Sequence, residues 1–554
     1  MHGRDVFMES LLAHGVRHLF GNPGTTESPL IDSLARYPAL SYVLALHEGI
    51  AIGAASYYAQ ASGRTGVVNL HVAPGLGNAI GMMYGALRAN SPMVVTAGQQ
   101  DTRLRLRDPL LGHDLVAMAA PVAKWSVQAE SADEIAPIVR RAFKTAHDPP
   151  SGPVFVSLPI DAMEQETDIA AVGSGALYRA PAPDPDGVRV VVRQFLDAAK
   201  PAIVIGDDVA RAGAGDAAVR LAEATGAGIW TELLHQHQPV PNAHPNYRGR
   251  LPSDAASIAE SLGDADLVLL AGGPFFEEVW YAPTGPFPPG ATVVQIEEAA
   301  ERLGRNYGPA TGLIAGLGPA LEAVCAQVLS DRPAAFAAAA DRRNESFAAL
   351  REKERKSRRA LLEIGRERRP MPVALALETL AAAAPEETAV VEEAITAGRE
   401  IPRAFDFRGP GDFFTGRGGG IGQGVAGALG VKLACPDRPV LCISGDGSAM
   451  YSIQALWTAA HHGLPILFVI LANREYRILK HNLDIYRHRF GAASNRPYRE
   501  MDLIDPPLGF VEMAAGMGVA GTRVTEPEEL ESAARGAFSS GAPHLIEVAV
   551  EGKT

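Results

Sequence analysis

Apolar runs recur along the chain, each broken by glycine, proline or a charged residue. In the first 174 residues they are HLFGN, SYVLALHE, GVVNLHV, SPMVVTAG and GPVFVSL, separated by stretches with helical spacing. That alternation predicts a parallel sheet covered by helices, since strands buried on both faces read as continuous apolar runs. A patternless stretch at 175–187, GALYRAPAPDPDG, reads as a linker. A second block, 188–330, repeats the alternation with PAIVIGDD, GAGIWTEL, ADLVLLAGG and ATVVQIE. Residues 341–370 are dense in Arg, Lys and Glu. Their acids and the apolar Leu350, Leu361 and Leu362 favour a solvated connecting helix over a nucleic-acid patch. The third block, 371–554, holds TAVVEEA, RPVLCISGDG, LPILFVILAN and PHLIEVAV. The expected fold class is therefore α/β, with three parallel-sheet domains at 1–174, 188–330 and 371–554. The first and third blocks are candidate topological relatives, although their sequence similarity is too weak to establish it.

Composition narrows the function. A length of 554 residues suits three or four domains, and 47% apolar with 20% charged residues is the balance of a globular protein. The formal charge of −13 leaves no basic surplus to neutralise phosphates, so no nucleic-acid partner is expected. Cys325, Cys435 and Cys442 lack a CxxC spacing and read as reduced thiols. The N-terminus, MHGRDVFMES, has no apolar core, and no apolar run reaches about 18 residues. No secretion signal or membrane span is therefore expected, and a reducing cytoplasm fits best.

The chemistry concentrates in the third block. Gly445-Asp446-Gly447-Ser448 ends the strand-like run Val440 to Ser444, and a helix-like stretch, Met450 to His461, follows. The next strand-like run, Ile466 to Leu471, ends in Ala472-Asn473. One strand–helix–strand crossover separates Asp446 from Asn473. In a parallel sheet both then fall at the carboxyl edge, where open α/β sheets bind ligands. A carboxylate oxygen and an amide oxygen are hard donors suited to Mg2+ or Ca2+, and Mg2+ commonly completes its octahedron from phosphates, carbonyls and water. Gly445 and Gly447 permit a tight turn and close approach to a ligand. Ser448 is expected to open a helix whose free N–H groups favour an anion. An isolated GDG would be an ordinary turn; the second donor at Asn473 argues otherwise.

These residues resemble the thiamine-diphosphate (ThDP) motif of the pyruvate decarboxylase and acetohydroxyacid synthase superfamily. The resemblance implies ThDP and Mg2+ as cofactors. It implies that Asp446, Asn473 and the carbonyl of Glu475 bind the metal, with Gly445, Gly447, Ser448 and Tyr476 at the cofactor. The superfamily's Asn-Asn pair reads Ala472-Asn473 here. Further matches are GNPGTTE at 21–27, LHEG at 46–49 and NLHVAPGLGNAIG at 69–81. They follow the order and spacing of the pyrimidine-binding domain of benzoylformate decarboxylases.

Glu48 falls on that family's activating glutamate, a carboxyl group whose pKa a dry pocket would raise. Read alone, it could equally be a helix N-terminal acid complementing the dipole. The same resemblance makes His71 an active-site acid/base, Thr25 a substrate-facing hydroxyl and Asn78 a contact near the cofactor. In Gly418–Gly422, Gly419 would offer a carbonyl to the aminopyrimidine. Ile421 would be the wedge that bends the cofactor, a role suited to a stiff β-branched side chain. Leu110 and Leu111 stand where acetohydroxyacid synthases would carry Phe-Gln, so a different substrate pocket is implied.

Two stretches depart from the pattern. The position of a second catalytic histidine, within Gly272 to Tyr281, is Val279, with Glu277 and Glu278 as possible substitutes. After Asn473, Arg474, Arg477, Lys480 and His481 add positive charge, and Arg477 is a candidate partner for an anionic substrate tail.

The implied order of domains is pyrimidine-binding, middle, diphosphate-binding, in the pyruvate decarboxylase-like ThDP fold. The implied activity is ThDP- and Mg2+-dependent, non-oxidative decarboxylation of a 2-oxo acid to an aldehyde. The alternative is a carboligase or lyase that forms or cleaves 2-hydroxy ketones. A non-catalytic subunit is disfavoured by the presence of Glu48, Asp446 and Asn473. The expected partners are a small 2-oxo acid or aldehyde and further copies of the chain. In the superfamily the glutamate and the metal ligands come from different subunits, so a homodimer is the minimum and a homotetramer is usual.

Overall fold

The computed structural model describes every residue except Tyr178, Arg179, Ala493, Asn495, Lys553 and Thr554. Part of the expected linker thus lies outside the described residues. The chain forms two compact units. The first comprises Met1–Leu177, Arg366–Ile401 and Thr415–Thr554, and the second comprises Tyr178–Gly365 and Pro402–Phe414.

The chain carries three six-stranded sheets. One is built from β1 (His18–Gly21), β2 (Ser41–Leu44), β3 (Gly66–Leu70), β4 (Met93–Gln99), β5 (Ser126–Gln128) and β6 (Pro153–Pro159), in the order β2-β1-β3-β4-β6-β5, all parallel. The second unit's sheet has β7 (Pro201–Ile205), β8 (Gly228–Thr231), β9 (Tyr247–Arg250), β10 (Leu267–Ala271), β11 (Thr292–Glu297) and β12 (Thr311–Ile314), parallel in the order β12-β11-β10-β7-β8-β9. The third sheet has β13 (Ala389–Glu393), β14 (Phe413–Thr415), β15 (Val440–Gly445), β16 (Ile466–Ala472), β17 (Ala520–Val524) and β18 (His544–Ala549), in the order β14-β13-β15-β16-β18-β17. Its strand order is the same permutation as that of the first sheet, so the first and third blocks are topological copies.

Every apolar run named above became a strand. The five strands without such a run, β5, β9, β12, β14 and β17, are all edge strands. The cause is burial. Central strands such as β3, β4, β10 and β16 are buried at every position, whereas β9, β12 and β17 have one buried position each, β5 has none, and β14 has only three residues. The charged stretch expected as a helix over 341–370 is helical over Ala334–Gly365. The helix starts earlier because Pro333 leads directly into AAFAAAA, an alanine run of high helix propensity that charge density does not reveal. Arg343 ties it to the carbonyls of Ala199, Thr225 and Gly226.

Two equivalent helices, Glu48–Ser62 and Gln423–Ala434, each start shortly after the corresponding edge strand and pack on one another in the first unit. Small residues set their separation. A Cβ on Gly53 would lie 2.8 Å from that of Ala426, and one on Gly427 would lie 2.6 Å from the Tyr57 ring. At Gly430 a Cβ would lie 1.9 Å from the Ala54 carbonyl oxygen, and backbone cannot swing aside. Gly430→Ala gains about 1 kcal/mol of helix propensity. The overlap costs more, so a net loss of ~1–3 kcal/mol is expected, read as a lower urea midpoint. An unchanged midpoint would show that the helices can part without penalty.

Among the described residues the three cysteines are unpaired, and no helix is long and apolar enough to cross a membrane.

Candidate active site

Asp446 follows β15 at the carboxyl edge, with Gly445 as helix N-cap and Asp446–Ala449 as a single helical turn. The sequence pointed to Ser448 as the residue opening one long helix. Instead the turn starts at Asp446, and a separate helix, Ala455–His461, follows. Asp446 is buried. Its Oδ1 accepts from the Gly447 N–H at 2.8 Å and its Oδ2 from the Arg474 N–H at 2.6 Å. Burial pushes this carboxyl above its ordinary range, and the two N–H donors oppose that rise.

Strand register explains how two distant residues meet. Gly445 pairs with Leu471, so Asp446 and Asn473 leave adjacent strands side by side. Asn473 Oδ1 accepts from the Glu475 N–H at 3.1 Å, and Tyr476 turns its ring onto Gly447, where a Cβ would lie 2.4 Å from Cε1. The structure therefore gathers Asp446, Asn473, Glu475 and Tyr476 around one loop. Among the described residues no cluster of three or more His, Cys, Asp or Glu side chains could hold a metal. A cation here would depend on an amide and a main-chain carbonyl beside Asp446.

Of the cations after Asn473, Arg477 and Lys480 are engaged by nearby carboxylates. Arg477 opens the Arg477–Phe490 helix with its guanidinium 3.4 Å from Glu475 Oε1, and Lys480 pairs with Glu475 and, at 2.6 Å, with Asp502. Burial lowers the pKa of Lys480, but the hydrogen bonds to Asp502 and Glu475 outweigh it and the net shift is upward.

Glu48 starts its helix behind the N-cap His47, whose Nδ1 accepts from the Gly49 N–H at 3.0 Å. The end of β2 leading into it is gripped by the third block. Leu44 N–H donates to His462 Nε2 and the Thr458 hydroxyl donates to the Leu44 carbonyl, both at 3.1 Å. Glu48 is 6% exposed, and its Oε2 accepts from Asn78 Nδ2 at 3.0 Å. His71 lies next to it. A Cβ on Gly75 would be 3.1 Å from Glu48 Oε1 and 3.4 Å from His71 Cβ, so the two side chains flank a space that glycine leaves open.

Glu27, not singled out in the sequence, holds the His71 ring. Its Oε2 lies 2.8 Å from His71 Nδ1 and also accepts from the Gly24 N–H, while Oε1 accepts from Thr26 Oγ1 and the Gly98 N–H. The ring packs where a Gly24 Cβ would sit, 2.0 Å from Nδ1. Glu27 closes GNPGTTE, but nothing in that stretch marks it as buried. The buried threonine hydroxyl in this network belongs to Thr26; Thr25 is exposed.

Glu393 was also missed. This buried carboxyl at the end of β13 accepts from the N–H groups of Gln423 and Gly424, both at 2.9 Å. Burial pushes it up to about 8, against those two donors. It anchors the loop bearing Gly419, which is left-handed at φ +74°, and the half-buried Ile421. Of the remaining candidates, Leu110 is 82% exposed and Leu111 has φ +66°. In the second unit Val279 is 72% exposed, and Glu278 accepts from the Tyr307 hydroxyl. Among the described residues no hydrogen bond or ion pair joins the Glu48 group to the Asp446 group.

Three family models match this chain. They are the thiamine pyrophosphate enzyme N-terminal TPP binding domain at 1–118, the central domain at 188–324 and the C-terminal TPP binding domain at 397–548. The chain belongs to the thiamine pyrophosphate enzymes and is a ThDP-dependent enzyme of α/β fold. Within that family it is close to benzoylformate decarboxylases. It is 33% identical to benzoylformate decarboxylase of Pseudomonas aeruginosa, over 98% of this chain and 97% of that protein. It is also 32% identical to a putative acetolactate synthase large subunit of Mycobacterium tuberculosis, over 99% of each. A solved ThDP-dependent 4-hydroxybenzoylformate decarboxylase of Rhodococcus jostii superposes with a TM-score of 0.84 at 29% identity, covering 100% of this chain and 99% of that one.

Proposed function

We propose that this enzyme decarboxylates a 2-oxo acid to an aldehyde without oxidation, using ThDP and Mg2+. Side-chain chemistry supports the metal, since Asp446 and Asn473 present hard oxygens on one loop, with the Glu475 carbonyl as third ligand. The turn at Gly447 and Ser448 suits the diphosphate, with Gly445 and Tyr476 bordering it. When bound, ThDP supplies a carbanion-forming centre and an electron sink for the departing CO2.

The chain's residues do the rest. Glu48, buried and hydrogen-bonded to Asn78, would exchange a proton with the aminopyrimidine of the bound cofactor. Gly419 and Ile421, on the loop anchored by Glu393, would orient the cofactor. His71, fixed at Nδ1 by Glu27, keeps Nε2 to move a proton at the substrate. Exposed Thr25 and Leu110, with half-buried Leu111, border the substrate. Arg477 reaches an anionic tail only by giving up Glu475. The observation that carries the reading is the half-buried His71 ring held by the buried Glu27 beside Glu48.

A homodimer at minimum, and a homotetramer by resemblance, completes the site. A carboligase remains the second reading because Val279 offers no proton where a second histidine is expected.

One panel tests both. Several 2-oxo acids are supplied with and without an acceptor aldehyde, and CO2 and products are measured. Aldehyde and CO2 from an aryl 2-oxo acid are expected. A 2-hydroxy ketone as the dominant product would favour ligation, and no CO2 from any acid would sink the proposal.

A further inference from the structure

The loop carrying Asn473 borders a cleft of 430 Å³ lined by Arg368, Arg369, Arg474, Asp502, Ile504 and Glu551, among others. Its charges do not balance pair by pair. Arg368 lies 2.7 Å from Glu551, and Arg369 grips Glu526 with two nitrogens. Lys480 serves Asp502 and Glu475, and Arg477 adds to Glu475. Each carboxylate bordering the cleft already has a cation. Arg474 is left over: exposed, and among the described residues in no ion pair.

Arg474 is also held at φ +61°, a left-handed conformation that glycine adopts freely and arginine does not. The backbone would be better served by glycine, so the strain is sustained for a residue that contributes a long cationic side chain. Strain of this kind gathers at ligand clamps and switch regions. Both neighbouring peptide groups are engaged: the N–H with Asp446, and the carbonyl with the Leu503 N–H at 2.8 Å.

We propose that this cleft is an oxyanion site in which Arg474, with Arg368 and Arg369 at its sides, binds a small carboxylate or phosphate group. A guanidinium free of carboxylate, next to two already paired, matches an anion of low charge. The hydrogen bond from Arg474 to Asp446 links the site's occupancy to the proposed metal loop.

The test titrates inorganic phosphate, and separately acetate, into ThDP- and Mg2+-loaded protein by calorimetry at constant ionic strength. Cofactor loading is measured first, so a protein that refuses ThDP counts against the proposed function and not against the cleft. Saturable binding of at least one anion is expected, and a preference between the two identifies a phosphate or carboxylate ligand. Arg474→Gly should weaken it about tenfold or more while melting no lower than the wild type. Arg474→Asn, which also tolerates positive φ, guards against a folding defect. Arg368→Ala should weaken binding less. No saturable binding of either anion, or unchanged affinity in both Arg474 variants, overturns the proposal.

Discussion

Asp446→Asn is expected to lose ThDP affinity by about 100-fold or more while remaining folded, because the substitution removes the one charged oxygen donor of the proposed metal set. Asparagine is preferable to alanine here. The carboxylate accepts from the N–H groups of Gly447 and Arg474. Alanine would orphan both buried donors at roughly 1–3 kcal/mol each, confounding loss of binding with loss of stability. The asparagine oxygen preserves one of the bonds and the shape of the turn. Calorimetric titration of ThDP at saturating Mg2+, beside a thermal melt, separates the two effects. An affinity within a few-fold of wild type would remove Asp446 from the metal site and undo the role assigned to Asn473.

Glu48→Gln should leave the melting curve in place yet lower turnover by about 10²–10⁴-fold, the range for losing a positioned acid/base. Glutamine retains an oxygen to accept from Asn78 Nδ2, so the helix start and its packing persist. What it cannot do is hold and release the proton. If Glu48 were only an acid complementing the helix dipole, its loss would cost stability by roughly 0.3–1 kcal/mol and leave kcat alone. The two roles thus predict opposite pairs of results. A variant with near-normal kcat and a lower melting temperature would leave Glu48 a structural residue.

The legible and illegible parts of this protein divide along burial. Central strands such as β4 and β16 announced themselves because both faces are covered and every position is apolar. β5 and β17 stayed hidden because only Val524 of their residues is buried, so no apolar run marks them. The site divides in a similar way. Asp446 and Asn473 could be read because a turn and a strand end fixed them at one edge of one sheet. Glu27 and Glu393 could not, since each acts through side-chain or loop contacts with residues far off in sequence. Nothing local distinguishes a buried acid that clamps a histidine or a glycine loop from an exposed one. Arg477 shows the converse. Its charge invited an anionic substrate, but in the folded chain Glu475 lies beside it.

The sequence alone determined the α/β class, the three sheets and the strand-end placement of Asp446 and Asn473, the proposed metal donors, because hydrophobic periodicity and crossover connections are local properties carried by consecutive residues. Only the tertiary structure decided that the first and third blocks share a strand order and pack helix to helix through Gly53, Gly427 and Gly430. Only it paired Glu27 with His71 and left Arg474 without a carboxylate. Those outcomes depend on which surfaces approach closely enough to exclude water, a distance that no stretch of sequence specifies by itself.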